Sequence, residues 1–296
     1  MRKKKGNGGM LHETLSSLYS SQPSSTLYHY TSLSGMMGIV EKRNFWASDI
    51  RYLNDSEELT HIESWLQGEI IERVQQSNTF QEVLMQFREW LRERLNYGPM
   101  VFVGCFTENG NLLSQWRGYC PHGQGVSIGF DPTKLVKRAS LNSFAIGKCI
   151  YDRVTKSELA KKVIDAVISA SQKSGESDKY HPSQSYYAIF AEMELQLLRI
   201  AALIKAESFK EEAEWRLVSQ PLSSYVEPEI KFREGSSMLI PYMELPLVDD
   251  NKKIEMEHIF VGPTPTMNLS VDSVRRYLSR EAVCPTISNC GIPYRG

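Results

Sequence analysis

The sequence predicts an α+β fold: a single domain with a mixed, mainly antiparallel sheet into which helices are inserted. Segments with helical apolar spacing recur up to residue 206, whereas the chain after residue 206 alternates with period two, as strands do. No repeat or linker-like stretch divides the chain, and 41% of its 296 residues are apolar, enough for a sizeable core. We expect a tail and a weak helix over residues 1–24 and one domain over residues 25–296, with helical insertions at 55–97 and 155–206.

The first half of the chain alternates strand-like and helix-like segments. Strands are predicted where residues that favour a pleated surface cluster, at SSTLYHYTS, NFWASD, PMVFVGCFTE, GVSIGFD and GKCIYD. Helices are predicted where Ser, Asn or Asp capping residues precede amphipathic spacing, at SLSGMMGIVEKR, YLNDSEELTHIESWLQGEIIERV and TFQEVLMQFREWLRERL. The almost continuous apolar run PMVFVGCFTE is typical of a central strand.

Two helices and then a series of strands are predicted in the second half. Residues 155–174 have the pattern of a charged amphipathic helix, and residues 183–206 that of a long helix with one apolar face. The strand-like segments that follow are EAEWRLVSQ, a hairpin from EIKFRE and MLIPYMEL, and IEMEHIFVGP. A helix is predicted at VDSVRRYLSRE, and a short extended segment at CGIPYRG.

Composition argues against several classes of protein. Lys plus Arg is 34 and Asp plus Glu is 35, whereas a protein that coats nucleic acid is usually strongly basic. No apolar run approaches the roughly 18 residues that span a bilayer, and no signal-peptide core follows the basic start. The five cysteines form no C-x-x-C pair and the histidines lack zinc-site spacing. We therefore expect reduced thiols, a cytoplasmic location and no metal.

The segment EEAEWR is the first candidate site. On a strand, Glu212, Glu214 and Arg216 would share one face, with the two carboxylates about 7 Å apart. The opposite face would carry Ala213, Trp215 and Leu217, which suit a core. The charged face would then line solvent or a cleft.

The segment LYHYTS is the second candidate. On a strand, His29 would lie on one face and Tyr28 and Tyr30 on the other, and Thr31 would bind a polar ligand group or cap the next helix. A histidine beside tyrosines is also explained as an ordinary packed strand residue. Both interpretations remain open on the residues alone.

Two further segments carry polar side chains. Trp116 and Arg117 lie on the Gly-rich segment SQWRGYCPHGQG and suit a planar ring or a phosphate, although a helix that packs Trp116 inward and leaves Arg117 solvated explains them equally. The acidic segment LNDSEE suits a metal, or it caps a helix with acidic first-turn residues.

The order of LYHYTS, FWASDIRYLNDSEE, the SQWRGY…GFD block, EAEWRLV, IFVGP and the terminal PYR resembles a bacterial family of unknown function. That family is in turn remotely similar to ADP-ribosyltransferases, some of which are toxins or anti-phage defence effectors. The resemblance implies an ADP-ribosyltransferase-like sheet and NAD as substrate. In it, Tyr28, His29 and Thr31 match the first-strand motif Tyr-His-x-Thr, whose histidine and neighbouring backbone hold the ribose and the nicotinamide amide. Tyr30 stands at the variable position of that motif and is expected to bind NAD together with them.

The resemblance also implies roles for residues further along the chain. EAE matches the E-x-E motif, in which Glu214 would stabilise the positive charge that develops on the ribose and Glu212 would activate the acceptor. Trp46 or Tyr52 would stack on the nicotinamide. Arginines are candidates for the dinucleotide phosphates because guanidinium matches phosphate bidentately, a prediction from residue type alone for the QWRGY block. These arginines are Arg117, Arg216 and Arg295.

The acceptor is expected to be a macromolecule, either protein or nucleic acid, and a toxin-like activity implies an inhibitor or antitoxin partner. Three alternatives stay open: an NAD glycohydrolase, a non-catalytic nucleotide- or protein-binding module, and a metal-dependent nuclease that uses Asp55, Glu57 and His61. For the transferase, Glu214→Gln is predicted to abolish activity while folding stays intact.

Overall fold

The computed structural model describes residues 9–53, 58–120, 125–174, 181–235 and 237–293, with the backbone alone for 58–63 and 173–174. The strands of this part of the chain are β1 (Leu27–Ser32), β2 (Asn44–Asp49), β3 (Phe102–Thr107), β4 (Gly125–Phe130), β5 (Phe144–Lys148), β6 (Glu214–Ser219), β7 (Lys231–Glu234), β8 (Leu239–Pro246), β9 (His258–Val261) and β10 (Thr286–Asn289). The helices are α1 (Gly9–Leu18), α2 (Leu33–Lys42), α3 (Glu58–Gln76), α4 (Gln81–Tyr97), α5 (Leu113–Tyr119), α6 (Pro132–Leu141), α7 (Arg153–Ser174), α8 (Tyr187–Ala191), α9 (Glu194–Ala201) and α10 (Met267–Arg280).

The described strands form one sheet in the order β10-β9-β4-β1-β3-β2-β8-β7, with β6 paired to β3 and β5 paired to β6. Every pairing of these strands is antiparallel except that of β9 with β10. The predicted α+β class, with one domain and a mainly antiparallel sheet, is confirmed.

Helices cover both faces of the sheet, so the central strands are buried on both sides. One apolar core lies between the sheet and α1, α3, α4, α7, α8 and α9. A second core lies on the opposite face, beneath α2, α6 and α10. Strand β6 is buried along its whole length.

The sheet divides at the edge of β3, and this fork positions the candidate site. Along one edge β3 pairs with β6 from Val103 to Thr107. Its other edge is shared, because β1 pairs at Thr107 and β2 pairs at Phe102 and Val103. The strands β1 and β2 therefore separate between these points, and the β3 backbone there has no strand partner on that side.

Several predicted elements differ from the structure. The helix predicted over 183–206 is wrong, since the chain forms a 3₁₀ turn at Pro182–Gln184, then α8, a turn at 192–193 and α9. Phe190 is fully buried against Phe87 and Trp90 of α4. Because the residues around the turn are apolar as well, the apolar spacing does not reveal the turn.

Two strands and one helix were also misplaced or missed. The strand predicted at GKCIYD lies earlier, at β5, and strand β10 was not predicted. The terminal segment CGIPYRG, predicted to be extended, lies partly outside the described residues. Helix α6 was not predicted, although Asp131 caps it by accepting from Lys134 N at 2.9 Å and Pro132 lies in its first turn.

Gly104 in β3 is expected to tolerate no side chain. A Cβ there would lie 2.3 Å from Cε1 of Phe45, which is almost fully buried. Gly104→Ala should therefore lower the free energy of unfolding by about 1–3 kcal/mol, measured by urea denaturation. Gly38→Ala in α2 is the control, because a Cβ there meets no atom within 4 Å. An unchanged midpoint for Gly104→Ala would contradict the packing described.

Candidate active site

A small cavity lies where α5, β1, β3 and the start of β6 meet. Its volume is about 40 Å³, which is room for a few water molecules or one small chemical group and far below the roughly 300–1,000 Å³ of clefts that enclose whole ligands. A larger ligand would therefore place only one end here. The residues that line it are Tyr28, His29, Tyr30, Cys105, Phe106, Thr107, Gln115, Tyr119, Glu212 and Glu214.

His29 lies in the fork between β1 and β2. Its Nδ1 is 3.0 Å from the carbonyl oxygen of Cys105, which accepts only, so Nδ1 carries the proton and Nε2 is left as an acceptor. The ring packs edge-on against Phe45, with centroids 4.8 Å apart, and lies 5.9 Å from the ring of Phe106. Burial lowers the pKa of His29, and the bond to Cys105 offsets this in part. His29 is therefore neutral at pH 7.

Glu214 is the first residue of β6 and is 4% exposed. Its Oε1 accepts from Arg216 Nε at 2.7 Å, and its Oε2 accepts from Lys205 Nζ. Burial favours the neutral acid, but the charges of Arg216 and Lys205 outweigh it and lower the pKa of Glu214 to about 2. Glu214 therefore presents a fixed, ionised carboxylate to the cavity.

Glu212 also lines this cavity, but from a 3₁₀ helix and not from the strand on which it was predicted. It ends the 3₁₀ helix Glu207–Glu212, and Ala213 adopts a left-handed conformation with φ 43°, so Glu212 is not part of the strand. Its Oε2 accepts from Lys205 Nζ at 2.5 Å, and its backbone carbonyl accepts from Thr107 Oγ1 at 2.6 Å. Burial raises the pKa of Glu212, with a further contribution from the charge of Glu214.

Lys205 joins the two carboxylates and was not singled out in the sequence. It follows α9, is 5% exposed, and contacts both Glu212 and Glu214. Burial opposes its charge, but the charge of Glu214 holds the pKa of Lys205 above its usual range. The only local sign was a lone lysine in the apolar stretch AALIKA. We refer to Lys205, Glu212, Glu214 and Arg216 as the charged quartet.

The face expected to line solvent or a cleft is therefore buried. Arg216 is fully buried and also donates from Nη1 to the carbonyl of Ala202 at 2.8 Å. Its position does not fit contact with a dinucleotide phosphate. The opposite face is as predicted, with Trp215 and Leu217 in the second core.

Three other predicted ligands lie away from the cavity lining. Trp116 is 2% exposed, packs edge-on to Tyr30 and donates from Nε1 to Asn111 Oδ1 at 2.9 Å, as a core residue would. Arg117 is exposed on α5. Trp46 packs on Tyr242 with ring centroids 4.8 Å apart.

The remaining predicted residues lie outside the cavity lining or outside the described residues and side chains. Thr31 does not line the cavity, and Ser32 rather than Thr31 caps α2, accepting from Gly35 N at 3.0 Å. Tyr52 lies in a separate groove beside Tyr225 and Phe232. Outside the described residues or side chains are Asn54, Asp55, Glu57, Glu58, His61 and Arg295.

Two lining residues of α5 complete the cavity. Gln115 and Tyr119 are four residues apart and so share one face of the helix. Burial raises the pKa of Tyr119, and the nearby Cys105 and Glu212 add to the shift. The sequence signal was the spacing of four residues between Gln115 and Tyr119, which places both on one helix face once SQWRGY is known to be helical.

Acidification is expected to destabilise the protein through Glu214. Its pKa is lowered from 4.5 to about 2 in the folded state, so this stabilisation is present above pH 4.5 and is lost as the pH falls towards 2. The loss should reach at most about 3 kcal/mol, and Glu212 contributes with the opposite sign because its pKa is raised. Urea denaturation between pH 2.5 and 7 measures it, and Glu214→Gln should flatten the profile. A profile that is equally steep in this variant would exclude Glu214 as the cause.

Within the described ranges, no group of His, Cys, Asp or Glu residues has the arrangement of a metal site. Among the same residues, no helix is both long and apolar enough to cross a bilayer.

Comparison with known proteins gives one match. A model of the family described as "Protein of unknown function (DUF2971)" matches residues 115–217, from Gln115 of α5 to Leu217 of β6. The match contains the charged quartet but not His29. It confirms the expected similarity to a family of unknown function over this stretch, while similarity to ADP-ribosyltransferases stays a prediction. No curated protein and no solved structure matches the chain.

Proposed function

We propose that the protein is an NAD-dependent ADP-ribosyltransferase that cleaves the nicotinamide–ribose bond and transfers ADP-ribose to a macromolecule. One observation supports this most: the neutral His29 of β1 and the ionised Glu214 of β6 are distant in sequence but line one cavity. These are the two residue types, at the two motif positions, that the resemblance to ADP-ribosyltransferases implies.

The chemistry needs a fixed negative charge beside the sugar. Nicotinamide leaves with the electrons of the C1′–N bond as a neutral ring, so positive charge develops on the ribose. The Glu214 carboxylate is held by Lys205 and Arg216 and does not need to reorient to stabilise that charge. A carboxylate oxygen has two lone pairs, so an oxygen of Glu214 that accepts from Lys205 or Arg216 can also accept from a ribose hydroxyl.

The other groups suit the remaining steps. The free Nε2 of His29 accepts a hydrogen bond from a ribose hydroxyl. Glu212, whose pKa is raised, is suited to take the proton of the acceptor as that nucleophile forms its bond to C1′. The atoms then balance, because nicotinamide, ADP-ribosylated acceptor and a protonated Glu212 are the products.

The biological setting in this proposal is that of a toxin or defence effector with an inhibitor partner, and it rests on the resemblance alone. The near-neutral net charge of −1 does not favour a nucleic-acid acceptor over a protein acceptor, or the reverse.

The test is to incubate the purified chain with NAD labelled in the adenylate moiety, together with cell lysate, and to measure nicotinamide and label. Nicotinamide release with label on a macromolecule supports the transferase. Release with free ADP-ribose alone would make the protein an NAD glycohydrolase. Absence of release together with absence of NAD binding contradicts the proposal. Activity on nucleic acid that a chelator abolishes would instead identify the nuclease alternative.

A further inference from the structure

The cavity lining contains a buried polar side chain, Gln115, that the mechanism above does not use. Gln115 of α5 is 7% exposed and lines the cavity. Within the part of the chain that the structure describes, its amide makes no hydrogen bond, whereas its neighbour Trp116 is satisfied by Asn111. Because Gln115 lines the cavity, a ligand or water in that space can satisfy its amide.

The position of Gln115 is held by the rest of α5. Trp116 is packed against Tyr30, whose hydroxyl accepts from Leu112 N at 2.7 Å and donates to the carbonyl of Asn109 at 2.9 Å. Both ends of the loop before α5 are therefore tied to β1. The amide of Gln115 is consequently presented to the cavity by a rigid element, as a specificity residue requires.

The hydrogen-bonding groups of the cavity define what it accepts. Gln115 offers one amide oxygen as acceptor and one NH₂ group as donor. Glu212 and Glu214 line the cavity, whereas the cations that hold them, Lys205 and Arg216, do not. An anionic group would meet these carboxylates, whereas a neutral group with both a donor and an acceptor would pair with Gln115.

We infer that Gln115 is a specificity residue that binds a neutral primary carboxamide and thereby selects NAD over its nicotinic acid analogue. This inference rests on the proposed function and assigns the nicotinamide end of the substrate to the α5 wall of the cavity. The amide of Gln115 and the carboxamide can exchange two hydrogen bonds, and a carboxylate in the same place would supply no donor.

The experiment compares the wild type with Gln115→Leu and with Ser114→Ala, an exposed neighbour on the same helix. The readouts are kcat/KM for release of the pyridine base from NAD and from nicotinic acid adenine dinucleotide, and binding of free nicotinamide and nicotinate by NMR titration. The wild type should favour NAD strongly. Gln115→Leu should lower kcat/KM for NAD by about 10- to 100-fold, leave the acid analogue little changed and reduce the ratio accordingly. Ser114→Ala should match the wild type.

The outcomes separate this inference from the proposed function. If the wild type cleaves NAD and Gln115→Leu keeps the same ratio, the role of Gln115 is overturned while the function stands. If the wild type cleaves nothing but binds nicotinamide over nicotinate, and Gln115→Leu loses this preference, the role of Gln115 is supported and catalysis is not. If the wild type neither cleaves NAD nor binds nicotinamide, both are overturned. A thermal melt of each variant confirms that the comparison is made on folded protein.

Discussion

Glu214→Gln is expected to reduce nicotinamide release from NAD by at least about 100-fold. The substitution keeps the size of the side chain and removes the charge that stabilises the developing cation, and loss of a single fixed electrostatic group of this kind typically costs 100- to 1,000-fold in rate. The effect should fall on kcat more than on KM, since the charge matters in the transition state rather than in the bound substrate.

The structure changes one expectation about this variant. On the sequence alone, Glu214→Gln was predicted to fold normally, but Glu214 is the buried partner of both Lys205 and Arg216. We therefore expect a loss of stability as well, so rates must be normalised to folded protein. Glu211→Gln, an exposed residue in the same 3₁₀ helix, is the matched control. A folded Glu214→Gln protein with wild-type kcat would rule out the proposed role.

His29→Gln is a second variant, and it tests the loss of activity separately from the loss of stability expected of Glu214→Gln. His29→Gln alters the opposite wall of the cavity and has no contact with the charged quartet among the bonds described. If His29 binds the ribose, its loss should lower kcat/KM without the acid-stability change expected of Glu214→Gln. Together the two variants distinguish an unfolded protein from an inactive one.

Lys205→Met is expected to lower the free energy of unfolding by about 3–5 kcal/mol, because it leaves the buried Glu214 and the partly buried Glu212 without their shared cation. Methionine fills a similar volume, so the effect is one of charge rather than of packing. Urea denaturation at pH 7 measures it. Lys210→Met is the control, as Lys210 is exposed five residues further along the chain.

The double variant Lys205→Met/Glu214→Gln tests whether the two charges act as a pair. It removes one positive and one negative charge and leaves Glu212 and Arg216, so its destabilisation should be smaller than the sum of the single effects by about 1–3 kcal/mol. Strict additivity would show that Lys205 stabilises the protein in some way other than through Glu214.

The local pattern of the chain was sufficient for much of the fold. Strand β1, its Ser-capped helix α2, the central strand β3 and the hairpin of β7 with β8 all follow from spacing and capping within ten or so residues. The alternation in EAEWRLV also placed Trp215 and Leu217 in the core. Where a local signal was overlooked, as with Asp131 and Pro132 before α6, the information was nevertheless present in the chain.

The candidate site depended much more on contacts between distant segments. His29 is both a packed strand residue and a cavity residue, because β1 and β2 separate at the edge of β3 and its Nδ1 is hydrogen-bonded to the carbonyl of Cys105. Alternation placed Glu212 and Glu214 on one strand face, yet the left-handed Ala213 breaks the strand between them and Lys205 brings the carboxylates together.

Spacing along the chain thus established the α+β class and the two motifs, since secondary structure depends on neighbours a few residues apart. The burial of Arg216, the role of Lys205 and the presentation of Gln115 were decided by the packing of the helical layer and α5 against the sheet. Whether a residue is buried depends on the elements that cover it. The helices on this face of the sheet lie up to about two hundred residues away along the chain. For that reason charged residues in a strand pattern predict a solvent-exposed face. In the folded chain they belong instead to the charged quartet, whose two positive and two negative charges cancel.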